Sequence, residues 1–215
     1  TNCRHFTISA NSLYNISMTN LQETLDLLHQ SGVVRPQDLR AQGIAPTSLY
    51  QLYRQGKVIR TSRGIYTLAH TSFTEHHSLV EICKRVPHGC ICLLSALHFH
   101  TLGTQNPFEV WLAIDRKARR PRVAYPPLRV LRFSGAALHE GIEEHQIEGV
   151  TVRVYSIAKT VADCFKYRNK IGLDVALEAL RACRTERRCT HQELWHYAQI
   201  NRVTHVMKPY LEAIG

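Results

Sequence analysis

Apolar residues first recur at helical spacing at Leu21, Leu25 and Leu28, with Leu27 beside them, and this stripe predicts an amphipathic helix. Thr19 stands three before Gln22 and Asn20 three before Glu23, so either pair is placed to form a capping box at the helix start. The stretch from Thr1 to Ser17 carries no strong periodicity and reads as an arm. Gly32 can take the left-handed conformation that ends the helix. A short second helix opens at Pro36, where the missing N–H costs nothing, and Gly43 stops it after Leu39 and Ala41. Beyond a tight connection at Ile44 and Ala45, a third helix runs from Pro46 to Gln55 and buries Leu49, Leu52 and Tyr53. Val58 and Ile59, then Ile65 to Leu68, read as short strands on either side of a turn at Thr61 to Gly64. Helix, short helix, tight turn, helix and hairpin make the plan of a winged helix-turn-helix over residues 19–70, behind an arm at 1–18.

A polar stretch from Ala69 to Thr74 is the expected linker to a second domain over residues 75–215. There the pattern predicts a helix over Glu75 to Arg85, a buried strand over Ile91 to Leu94, a short helix from Ser95 to Leu102, and a strand within Phe108 to Ile114. A loop from Asp115 to Pro127 follows. Leu128 to Phe133 alternates apolar and basic residues, as a half-exposed or edge strand does. Glu144 to Ile147 and Val150 to Tyr155 form a hairpin turned at Glu148-Gly149. The C-terminal end is helical: Ser156 caps a helix running to Asn169, and Leu173, Ala176, Leu177 and Leu180 share one face of the next. Thr190 and Glu193 make a capping box for a third, and Pro209 interrupts or kinks a last helix over Val203 to Ile214. The fold class is α+β: an N-terminal winged helix-turn-helix, then a mixed α/β domain with a small sheet and a helical C-terminal end.

The chain's 215 residues leave room for one or two domains, and 44% hydrophobic with 20% charged residues supports a folded core. No apolar run approaches the roughly 20 residues needed to span a bilayer. No signal-peptide pattern is recognisable, and the chain opens on Thr1 rather than Met, as a trimmed start would. A cytoplasmic protein without a membrane partner is therefore expected. Seven cysteines, an odd count in a chain of this size, argue against a disulfide framework. Cys90 and Cys92 form a C-x-C in an apolar run, not the C-x-x-C usual in structural zinc sites, and read as buried strand residues. His76, His77 and His88 are close in sequence, which leaves a metal site as an alternative; the expectation is no metal and no cofactor.

Charge narrows the class of partner. Lys and Arg number 27 against 17 Asp and Glu, a net +10 that favours an anionic partner: nucleic acid, an acidic protein or an anionic membrane surface. The motif selects double-stranded DNA, because the second helix of a helix-turn-helix enters the major groove. That helix presents Thr47, Ser48, Tyr50, Gln51 and Arg54 opposite its apolar side. Gln pairs in bidentate fashion with adenine, and Arg with guanine or phosphate. Gln51 is thus the first candidate for base contact, Thr47 and Ser48 follow, and Tyr50 is placed to donate to phosphate. Lys57, Arg60 and Arg63 lie in the wing, and Arg35 and Arg40 on or just before the preceding helix, all positioned for phosphates or the minor groove. From Leu21 to Leu68 six Lys or Arg face three Asp or Glu. A second cluster, Arg116, Lys117, Arg119, Arg120 and Arg122, reads either as a phosphate-contact patch or as a mobile solvated loop. A protein-interaction module, with the winged helix docking a protein, is the competing reading.

No enzyme is expected. Ser95 with His98 or His100 and Asp163 resembles a triad only in residue types; the G-x-S-x-G elbow is missing, and Ser95 reads as a helix cap. Asp163 is spaced to pair with Lys159 or Lys166. Glu140, Glu143 and Glu144 cluster near a strand start and read as solvated. No P-loop, G-x-G-x-x-G or H-E-x-x-H occurs.

The run from Gly56 through Lys57, Val58, Ile59 and Arg60 to Arg63, Gly64, Ile65 and Tyr66 resembles the end of the winged helix in AbiEi-type abortive-infection antitoxins. Leu94-Ser95-Ala96-Leu97 with Leu102 is similar to the start of that family's C-terminal domain. Ile147, Gly149, Val150 and Val152, then Tyr155-Ser156 and Lys159-Thr160-Val161-Ala162-Asp163, are similar to its later signature, with Lys159 where Arg is more usual. The resemblance implies a bacterial type IV antitoxin and transcriptional regulator. Its winged helix would repress its own operon, as a monomer or dimer on inverted repeats. Its C-terminal domain would counter a nucleotidyltransferase-like toxin without a stable complex.

Overall fold

A computed structural model describes residues 10–69 and 74–214, with side chains from Thr19 onward. The architecture is mixed α+β, with two small sheets and a run of C-terminal helices. The chain divides into two compact units. One comprises residues up to Thr74 together with Glu148–Val150, the other Glu75–Ile147 with the rest of the chain.

The first unit holds helices α1 (Ala10–Ser31), α2 (Pro36–Ala41) and α3 (Thr47–Arg54) with strands β1 (Val33–Val34), β2 (Val58–Ser62) and β3 (Ile65–Leu68). Among the described residues helix α1 runs Ala10–Ser31, so Thr19 and Asn20 lie within it and not at its start, which corrects the expected boundary. No Gly or Pro stands between Ala10 and Asn20 to stop the helix growing upstream. The remainder of the expected arm, residues 1–9, lies outside the described residues. Strand β1 has no counterpart in the sequence pattern. It pairs antiparallel with β3, Val33 opposite Thr67 and Val34 opposite Tyr66, giving a sheet in the order β1-β3-β2. Gly64 takes a φ of 76° at the hairpin turn, a conformation that a side chain disfavours. Leu28, Val34 and Leu39 are completely buried, and with Leu49, Leu52 and Val58 they form the core of this unit. Each such side chain contributes about 1.5–3 kcal/mol through burial.

The second unit contains α4 (His77–Arg85), β4 (Cys90–Ile91), α5 (Leu93–Phe99), β5 (Val110–Asp115), β6 (Leu128–Phe133), α6 (Ala136–His139), β7 (Ile142–Ile147) and β8 (Val150–Tyr155). It is completed by α7 (Ile157–Lys166), α8 (Arg168–Ile171), α9 (Leu173–Thr185), α10 (His191–Asn201) and α11 (Thr204–Ala213). The sheet runs β6-β5-β4-β8-β7, with β5 and β6 parallel and β4 and β5 antiparallel. Strand β6 is an edge: Leu131 and Phe133 are buried while Arg129 and Arg132 are exposed.

Several local expectations are revised. The chain leaves the sheet after Ile91, and α5 already begins at Leu93, two residues ahead of the expected boundary. Cys92 is accordingly the residue before that helix and not a strand residue, although it is buried as anticipated. Ser95 is not a cap: inside α5 its Oγ accepts the Trp111 N–H at 2.9 Å and donates to the Glu109 carbonyl at 3.4 Å, tying the helix to β5. Ser156 precedes α7 but makes no side-chain capping bond, and that helix stops at Lys166. The Thr190–Glu193 capping box is present, with Glu193 N–H donating to Thr190 Oγ1 at 3.1 Å and Thr190 N–H to the Glu193 carboxylate at 2.7 Å. The Thr190 N–H bond, with a second to the same carboxylate from Thr190 Oγ1 at 2.8 Å, lowers the pKa of Glu193. Among the described residues Cys183 and Cys189 are joined by a disulfide. Cys83, Cys90, Cys92 and Cys164 are buried free thiols. Burial pushes the Cys83 thiol up to about 11.

The core of this unit encloses an ion pair. Lys159 and Asp163 are both fully buried on α7, and the ammonium donates to both carboxylate oxygens at 2.6 Å. Asn201 of α10 donates to Asp163 Oδ1 at 2.7 Å. The ammonium also lies 4.3 Å from the Tyr155 ring centroid and 5.0 Å from that of Phe133. Burial raises the Asp163 pKa, and Lys159 and Asn201 oppose that push. Gly141 comes so close that a Cβ there would lie 2.9 Å from the Lys159 Cβ. Removing one partner of a buried pair leaves an uncompensated charge, so Lys159→Met is expected to cost about 3–5 kcal/mol in urea unfolding. Adding Asp163→Leu should recover much of that loss. A Lys159→Met variant as stable as the parent would show that the pair contributes nothing.

Candidate nucleic-acid interface

Helix α3 has eight residues, too few to be stable alone, so its packing decides which face is shown. Leu49 and Leu52 are each 1% exposed and seat the helix in the core, against α1. Thr47, Tyr50, Gln51 and Arg54, spaced i, i+3, i+4 and i+7, are exposed together along the other side. Tyr50 is 61% exposed.

Ser48 does not belong to that face. It is buried, and its Oγ lies 2.6 Å from Thr24 Oγ1 of α1 and 2.7 Å from the Ala45 carbonyl. Thr24 Oγ1 in turn lies 2.6 Å from the Asn20 carbonyl. Two hydroxyl protons thus serve three short contacts, and the expected base-reading role of Ser48 is replaced by a polar joint between α1 and α3. Tyr53 is corrected in the opposite direction. Expected inside, it is 46% exposed, with its ring edge-on to Tyr66 at 6.3 Å. Ser48, Leu49 and Leu52 set the buried face of α3, and Tyr53, about 100° beyond Leu52, falls at its margin.

On the hairpin that follows, Lys57, Arg60 and Arg63 are exposed, as is Ile59. Arg60 donates from Nε to the Ser62 carbonyl at 3.3 Å, beside a bulge in β2. Arg40 is exposed on α2. Arg35 instead supports the backbone. It precedes α2, its N–H donates to Asp38 Oδ2 at 2.9 Å, and its guanidinium pairs with Asp38 at 3.0 Å. The structure therefore gathers Thr47, Tyr50, Gln51 and Arg54 on one stripe, keeps Lys57, Arg60, Arg63 and Arg40 exposed, and engages Arg35 and Ser48 internally. Tyr53 and Ile59 are exposed neighbours that the apolar pattern assigned to the interior or to a plain strand.

In the second unit, Arg116, Lys117, Arg119, Arg120 and Arg122 are all exposed. Their loop is anchored at its start. Arg132 of β6 donates to the carbonyls of Asp115, at 3.0 Å, and of Ala118, and the Lys117 N–H donates to Asp115 Oδ1 at 2.7 Å. The residues of the imagined triad are engaged elsewhere: Ser95 with β5, His100 at 2.8 Å from the Tyr155 carbonyl, and Asp163 with Lys159. Glu140, Glu143 and Glu144 pair with His196, His145 and Arg153. Among the described residues no group of three or more His, Cys, Asp or Glu is arranged to hold a metal ion, and no helix is long and apolar enough to cross a membrane.

Residues 22–69 match the family of transcriptional regulators described as "Transcriptional regulator, AbiEi antitoxin". Among solved structures, the RV2827C protein from Mycobacterium tuberculosis is similar in fold, with a TM-score of 0.57 at 12% identity over 86% of this chain and 71% of that one. No curated protein matches the sequence.

Ser48→Ala removes one of the two shared hydroxyls and leaves Thr24 free to bond the Asn20 carbonyl. The expected loss is about 1 kcal/mol in chemical unfolding. An unchanged midpoint would mean that the joint contributes no stability.

Proposed function

From the match of residues 22–69 to the AbiEi regulator family, we propose that the first unit is a winged helix-turn-helix that binds double-stranded operator DNA, with α2 and α3 as the helix pair and β2–β3 as the wing. The observation that carries the reading is the exposed stripe of Thr47, Tyr50, Gln51 and Arg54 on a helix held by Leu49 and Leu52. Gln51 reads adenine edges, Thr47 assists, and Tyr50 and Arg54 hold phosphates. Lys57, Arg60 and Arg63 neutralise phosphates from the wing, and Arg40 does so from α2. Arg35 positions α2 through Asp38. The protein acts in the cytoplasm as a repressor of its own operon, bound to inverted repeats.

By the same resemblance we propose that it is the antitoxin of a type IV system, countering a nucleotidyltransferase-like toxin without forming a stable complex and without catalysis of its own. The competing reading, a face that docks a protein, is favoured by the exposure of Tyr53 and Ile59.

Salt separates the two, because phosphate contacts release counterions. Anisotropy with DNA from upstream of the protein's own coding sequence should show affinity falling steeply between about 50 and about 200 mM salt. Gln51→Ala should reduce discrimination between operator and unrelated duplex by about tenfold. Arg63→Ala should weaken binding to both alike and lower the log–log salt slope by about 1. A flat salt response, or both variants binding as the parent does, defeats the DNA reading. The antitoxin reading is checked by co-expression with a nucleotidyltransferase encoded beside it: growth should be restored while the two proteins do not co-purify. Continued growth arrest would refute it.

A further inference from the structure

The DNA reading leaves unused the exposed edge of the second unit. Strands β5 and β6 are parallel, with Val110 opposite Leu128, so the residues just before each strand lie at one end of the sheet. Two of them are large exposed aromatics, Phe108 at 83% and Tyr125 at 62% exposure. The basic loop connects the far end of β5 back to this end. Arg120 borders a cavity of about 390 Å³ that also touches Glu109 and Leu128, at the starts of the same two strands. Arg119 and Arg122 flank it in the chain, both exposed.

This surface is built, not merely charged. Arg132 fixes the start of the loop through backbone carbonyls. Pro121, Pro126 and Pro127 restrict its return. The nearby carboxylate of Glu109 is already paired with Arg129, whose guanidinium lies 4.8 Å from the Trp111 ring centroid. That leaves the loop guanidiniums free of carboxylates among the described residues.

We infer that this edge binds single-stranded nucleic acid, with Phe108 and Tyr125 as stacking platforms and Arg119, Arg120 and Arg122 on the phosphates. Duplex backbone contact requires cations alone, whereas unpaired bases offer open faces that aromatic rings and planar guanidiniums stack upon. Four of the five loop cations are Arg, the side chain suited to both roles. The inference does not depend on the duplex reading of the first unit: wing substitutions that leave duplex binding unchanged would remove that reading and leave this one standing.

The test uses the full chain and labelled RNA and DNA strands of about 20 nucleotides, long enough to cover such a site. Phe108→Ala with Tyr125→Ala should weaken strand binding about tenfold or more while leaving duplex binding at the parent level. Replacing Arg119, Arg120 and Arg122 with Lys keeps the charge and removes the planar group, and should weaken strand binding several-fold. All five side chains are exposed, and an unchanged melting temperature verifies that each variant is folded. Tighter binding of RNA or of DNA identifies the natural strand, and either result supports the site. Strand affinity equal to the parent in both variants overturns it. So does an equal loss for strand and duplex in the aromatic variant, or parent binding to phosphatidylserine vesicles but to neither strand.

Discussion

The first unit depends on how two leucines are buried. Leu49 and Leu52 are the apolar anchors of a helix of about two turns, which is too short to be stable without such packing. Once they face α1, the phase of the helix follows. At about 100° per residue, Tyr50 and Gln51 cannot join them inside, and Thr47 and Arg54 fall on the same outward stripe. The contact between Thr24 and Ser48 sharpens that phase, because a buried hydroxyl pair tolerates little rotation before its oxygens lose their partners. The exposed polar face is thus the complement of the core.

Charge is divided by a similar rule in both units. Cations that support the backbone are paired or bonded internally: Arg35 with Asp38, Arg60 with the Ser62 carbonyl, and Arg132 with the carbonyls at the start of the basic loop. Lys57 just before β2, Arg63 at the β2–β3 turn and the cations of the loop after β5 project outward. Surface ion pairs contribute little to stability, so the outward cations are better understood through what they attract than through what they hold.

Much of this is legible in the sequence because its causes are local. The apolar spacing of Leu49 and Leu52, the alternation of Leu128 to Phe133, the turn at Glu148-Gly149 and the Thr190–Glu193 box each follow from neighbours in the chain. The features that the sequence hides have distant causes. Ser48 has the character of a surface residue until Thr24, which lies 24 positions away, claims its hydroxyl. Ser95 has the character of a cap until the Trp111 N–H arrives from β5. Strand β1, only two residues long, has no alternation to reveal it and exists through its pairing with β3. Phe108 and Tyr125 carry no periodic signal, and it is the parallel register of β5 and β6 that brings the two loops together.

The buried Lys159–Asp163 pair is the element of the second unit that hydrophobicity explains least. An apolar pair of equal volume would avoid the desolvation of two charges, so stability alone does not account for it. Its geometry specifies more than apolar contact would. Both carboxylate oxygens take the ammonium, one also takes Asn201 from α10, and the ammonium rests over the rings of Tyr155 and Phe133. Four elements, α7, α10, β8 and β6, must therefore meet in one register for the charges to be satisfied. An apolar core could slide between similar packings at little cost, whereas a slip here would strand an ion in the interior.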